Sequence, residues 1–96
     1  MKTFSQFILE AKDNITDHIS KALSDEHPSI RRRAIQHPNA TVDHISKALD
    51  DKDDKVRWWA IRHPKATTEH ISKALSDEHL DVQNYARKKL SKLRKS

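Results

Sequence analysis

Apolar residues in this chain fall into small groups with i, i+3, i+4 spacing, and the groups themselves return every 26 residues. Ile45, Ala48 and Leu49 make one such stripe, and Ile71, Ala74 and Leu75 repeat it one period later. Both lie inside the hexapeptide His-Ile-Ser-Lys-Ala-Leu, which starts at His18, His44 and His70. Thr41 and Thr67 precede the second and third stripes as good N-caps, and Asp43 and Glu69 sit where a helix dipole favours an anion. The spacing therefore predicts a short amphipathic helix opening each unit. The first copy has Ile15 in the cap slot, so Asn14 or Asp13 is the expected substitute.

An acidic turn follows each of these helices: Ser24-Asp25-Glu26, then Asp50 to Asp54, then Ser76-Asp77-Glu78. A second stripe starts after each turn. Its members are Ile30, Ala34 and Ile35, then Val56, Trp59, Ala60 and Ile61, then Val82, Tyr85 and Ala86. Pro38 and Pro64 oppose helical geometry in His37 and His63 just before them and should end the second helices there. Helices of roughly 8–11 residues are unstable alone, so each must be held by its neighbours. The predicted fold is all-α: a short right-handed αα-solenoid of three 26-residue two-helix repeats plus an N-terminal helix. The expected division is a leader or cap helix at 1–10, the repeats at 11–90 and a basic tail at 91–96.

The repeat resembles HEAT-like units and, more closely, the leucine-rich repeat variant family, through Val56-Arg57, Ala60, His63-Pro64, Ala66, Ile71, Ala74-Leu75 and Asp77. That resemblance covers about residues 14–90 and implies an αα-solenoid in which one helix of each pair can be a 3₁₀ segment. Some members of that family carry a cysteine-bound iron–sulfur cluster. This chain has no cysteine, so no such cofactor is expected, and disulfides and thiol chemistry are excluded with it. It also has no glycine, which removes phosphate-cradling loops and the dinucleotide fingerprint. No run of 18 apolar residues exists, so no membrane span is expected.

The net charge is +5 over 96 residues, but it is unevenly placed. Arg87, Lys88, Lys89, Lys92, Arg94 and Lys95 carry six positive charges with no acid among them, while residues 1–86 hold thirteen cations against fourteen anions. Such a tail can hold polyanions without reading sequence, or can simply be a solvated end.

Outward positions of the second helices stack from repeat to repeat and are the expected binding face. They are Arg31, Arg57 and Gln83; Arg32, Trp58 and Asn84; and Gln36, Arg62 and Lys88. The candidate partner-binding residues are thus Arg31, Arg32, Arg57, Trp58, Arg62, Asn84 and Lys88. Trp58, if exposed beside Arg57 and Arg62, would serve as an anchor for a protein or a platform for a base. Trp59 is the expected core tryptophan, because Tyr85 shares its position. A nucleic-acid module using Arg31, Arg32, Arg33, Arg57, Arg62 and the tail is the alternative reading.

Seven histidines invite a metal, but His18, His44 and His70 would lie a helix-packing distance of ~8–10 Å apart, too far to share one ion. They are expected to be structural. No nucleophile, base and orienting group recur together, so the expectation is a protein that is not an enzyme and holds no cofactor or metal.

Phe4, Phe7, Ile8 and Ala11 have amphipathic spacing and can cap the first repeat. The segment Met1 to Ala11 also resembles the capsid-targeting leaders of internal head proteins of T-even-like phages, through Met1, Lys2, Thr3, Phe4, Phe7, Ile8, Glu10 and Ala11. That resemblance implies engagement by the prohead scaffold, cleavage by the phage protease after Glu10, with Ile8 two positions earlier and Ala11 as the new N-terminus, and delivery into a host. The partner it implies is a host protein. A cellular adaptor with an uncleaved cap helix is a further alternative.

Overall fold

The computed structural model describes residues 15–95. The leader, its cleavage residues Ile8, Glu10 and Ala11, and the candidate caps Asp13 and Asn14 lie outside the described residues. Within them the chain is all-helical. Helix α1 covers 15–23; α2 is Pro28–Ile35, α3 Val42–Leu49, α4 Asp54–Arg62, α5 Thr68–Ala74 and α6 Leu80–Lys95. These are α-helices throughout, which answers the open question of 3₁₀ character. The pairs α1–α2, α3–α4 and α5–α6 are the three repeats. Second helices stack on second helices, α2 on α4 and α4 on α6, while α3 packs on α5, so the molecule is a short two-layer solenoid.

Local chemistry accounts for the boundaries. The Thr41 hydroxyl accepts from the His44 N–H, and the His44 ring accepts from the Thr41 N–H, closing a capping box; Thr67 and His70 do the same. In each acidic turn one carboxylate accepts the backbone N–H two residues on: Asp25 from His27 at 2.9 Å, Asp51 from Asp53 at 2.9 Å and Asp77 from His79 at 2.8 Å. These Asx-turns aim the chain into the second helix. Helix α4 stops at Arg62, where His63 before Pro64 adopts ψ 137°, as the clash with the proline ring requires. No described residue has positive φ, so the stack makes its turns with Pro and Asp and has no position that requires glycine. Lys89 and Leu90 stand where earlier repeats have His-Pro, and α6 accordingly runs on to Lys95.

One core threads all three units. Ile35, Ile45, Ile61, Ile71, Val56 and Val82 are fully buried, each contributing about 1.5–3 kcal/mol relative to exposure. Ala34, Ala60 and Ala86 are buried at the same register on successive second helices, where their small side chains let α2, α4 and α6 approach closely.

Candidate binding surface

The arginines expected on the surface are in two cases inside it. Arg31 and Arg57 are only 5% and 7% exposed. Arg57 donates from Nε and Nη2 to both oxygens of Asp77, at 2.7 and 3.2 Å, and from Nη1 to the Asp51 carbonyl at 2.7 Å. Arg31 makes the same three bonds to Asp51 and to the Asp25 carbonyl. Each guanidinium thus lies over its own acidic turn and clasps the carboxylate of the next. Burial alone would favour loss of its proton, but the Asp77 carboxylate holds the Arg57 pKa above its ordinary value. These two residues tie repeats together and present no cation to a partner, which corrects the sequence expectation. Gln83 occupies the same place in the third repeat and donates to the Asp77 carbonyl.

The histidines form a second set of ties. Because Nδ1 of His44 accepts the Thr41 N–H at 3.0 Å, its proton resides on Nε2 and is donated to Ser20 Oγ at 2.9 Å, in the preceding repeat. His70 bridges Thr67 and Ser46 identically, at 3.0 and 2.8 Å. Buried His63 accepts from the Lys65 N–H and donates to the His37 carbonyl at 2.9 Å. Among the described residues no group of three or more His, Asp, Glu or Cys converges as a metal site would require.

What remains exposed on the second-helix face is an aromatic and cationic cluster between α4 and α6. Trp58 and Trp59 are both half-buried, so Trp59 is not the wholly interior member of the pair. Their rings meet edge to face at 5.0 Å, and Tyr85 closes on Trp58 at 6.1 Å. The Arg62 guanidinium lies 4.4 Å from the Trp58 ring centre and 5.1 Å from that of Trp59, a cation–π stack that holds the indoles in place. An open cleft of about 550 Å³ runs beside them, lined by Trp58, Trp59, Tyr85 and Asn84 in the middle, Asp54 and Asp81 near the helix N-termini, and Lys55 and Lys88. Asp54 also pairs with His79 at 3.3 Å. Arg32 is half-buried, with Nε reaching the Pro28 carbonyl at 3.4 Å, and lies on α2 outside this cluster.

Of the seven predicted surface residues the structure therefore gathers Trp58, Arg62, Asn84 and Lys88, sets Arg32 apart and buries Arg31 and Arg57. Sequence reasoning missed Tyr85, Asp54, Lys55 and Asp81 as cleft residues, and expected Trp59, which also lines the cleft, in the core. The available signal was the parallel arrangement of α4 and α6, which places each residue of one beside its 26-residue equivalent on the other. Among the described residues no helix is long and apolar enough to cross a membrane. No family model, curated protein or solved structure matches this chain.

Proposed function

We propose that this chain is a non-enzymatic HEAT-like binding protein that docks a protein partner on the α4–α6 face, with Trp58 as the anchor. The observation that carries the reading is Trp58, packed on the core at one side and partly exposed at the other, held by Arg62 beside an open cleft of about 550 Å³. Such fixed, amphipathic aromatic groups next to a cation are the typical high-energy contacts of protein interfaces. Asp54 and Asp81 on the same cleft weigh against phosphate, and with Arg31 and Arg57 neutralised the basic face is weaker than its composition implies. The nucleic-acid reading then rests on Arg32, Arg33, Arg62 and the basic end of α6.

The resemblance of residues 1–11 to capsid-targeting leaders places this binding event, in our proposal, after packaging in a phage head, cleavage after Glu10 and delivery into the host cytoplasm. Two experiments test the two halves. Mass spectrometry of purified virions should find a chain starting at Ala11; an intact Met1 rejects cleavage after Glu10, and absence of the chain from virions rejects packaging and leaves the cellular adaptor. A photo-crosslinking residue at Asn84 should capture one defined host protein at moderate salt, and Trp58→Ala should remove that product. Binding that instead collapses between low and moderate salt identifies a phosphate backbone and refutes the protein-partner reading.

A further inference from the structure

The cleft between α4 and α6 has a direction. Its two walls run parallel, so the beginnings of both helices, at Asp54 and Leu80, lie at one end of it. Two acids and one base stand at that end, Asp54, Asp81 and Lys55; the aromatic floor follows, and Lys88 stands at the other end. Asp54 is paired with His79 at 3.3 Å and is 39% exposed, whereas the Asp81 carboxylate meets the same imidazole at 4.0 Å and is 79% exposed. Asp81 and Lys88 are seven residues apart on α6, which puts them on one face and about 10 Å apart along the axis. Arg62, the equivalent of Lys88 on α4, is also exposed and adds a second positive charge at that end. The order along the cleft is thus a negative site, an apolar floor and a positive site.

We propose that the occupant is an amphipathic helix of a protein partner lying antiparallel to α4 and α6, an inference that rests on the docking role of this face. The helix carries an acid at one position, a large apolar residue three or four positions later and a lysine or arginine seven positions after the acid. Seven residues of helix span the same ~10 Å that separates Lys88 from Asp81, so the partner's acid meets Lys88 when its base meets Asp81. The apolar residue between them then lies over Trp58 and Tyr85, beside the Asn84 amide. Dipoles set the antiparallel sense: α4 and α6 both present their positive ends near Asp54 and Asp81, which favours the partner's C-terminal end there. An acid before a base is also the order that stabilises the partner helix itself. The opposite order would set a base on Lys88 and an acid on Asp81, like charge against like.

The test is selection on the full chain from a displayed library of single helices randomised at i, i+3, i+4 and i+7, with Trp58→Ala as the counter-selection. Enriched helices should carry Asp or Glu at i and Lys or Arg at i+7. On a chain with the exchange Asp81→Lys and Lys88→Asp the enriched order should reverse, and that reversal also shows the exchanged chain to be folded. For one selected helix, fluorescence anisotropy should show binding about tenfold weaker to Asp81→Lys, with recovery when the helix's own base is replaced by Glu. Enrichment that requires Trp58 but has no order of charges overturns this inference, as does the same order on the exchanged chain. So does failure to capture any helix that requires Trp58. The docking face itself stands or falls on crosslinking from Asn84, so the two failures are read separately.

Discussion

Replacing Asp77 by Asn is the sharpest test of how the repeats are joined. The substitution keeps an oxygen to accept the His79 N–H, so the turn into α6 survives, but it strips the charge that neutralises Arg57. Both partners are about nine-tenths buried, and Glu78, which with Asp54 also acts on the guanidinium, stands 4.0 Å away and is exposed. Orphaning one member of a buried pair typically costs about 3–5 kcal/mol, a large part of the ~5–15 kcal/mol that stabilises a whole domain. At about 4–8 °C per kcal/mol for a chain of this size, Tm should fall by roughly 12 °C or more. Because each repeat contacts only its neighbours, the loss should appear as earlier melting of α5 and α6. Thermal and urea unfolding followed by circular dichroism measures it, and a double-mutant cycle with Arg57→Met isolates the pair. The double variant, with both charges gone, should be more stable than Asp77→Asn alone. A single-variant loss below about 1 kcal/mol, or purely additive effects, would refute a buried clasp.

Other expectations follow from the same contacts. Burial, the largest influence, lowers the pKa of His44 and His70 below the ordinary imidazole value, with the Thr16 backbone and then Asp43 pulling back at His44 and Glu69 at His70. Both rings must be neutral at Nδ1 to cap their helices, so the unfolded chain binds protons more readily. Their contribution should be complete above about pH 6.5 and be lost as pH falls through the lower folded values; Tm measured against pH should show this, and His44→Asn with His70→Asn should flatten it. Ala60→Asp sets a carboxylate at a fully buried position between packed second helices and should abolish the cooperative unfolding transition. Trp58→Ala should leave far-ultraviolet circular dichroism unchanged within error, since the residue is partly exposed at the edge of the core; unfolding of this variant would make the indole part of the core.

Much of the architecture can be read from the chain because it is local. Thr41 and Thr67 cap, Pro64 stops, and Ala60 and Ile61 face inward for reasons contained within one turn of helix or one dipeptide. Arg31 and Arg57 were misread because a helical stripe ranks a guanidinium as surface, and their partners lie in the next unit. The informative signal was a second periodicity: an arginine followed 20 positions later by aspartate, at 31 and 51 and again at 57 and 77. The same reasoning reaches the serine 24 positions before His44 and before His70. The binding cleft was only partly legible, since Trp58 and Arg62 are neighbours on one helix whereas Tyr85 and Asp81 arrive from another.

The clasps all run one way, each arginine reaching forward to the acid of the unit after it. A duplicate of one internal 26-residue module, spliced between two existing ones, would bring a matching donor and acceptor with it and leave both terminal finishes intact. Lengthening from within is therefore the route by which such an array can grow without redesign, whereas a module appended beyond Gln83 would meet no grip.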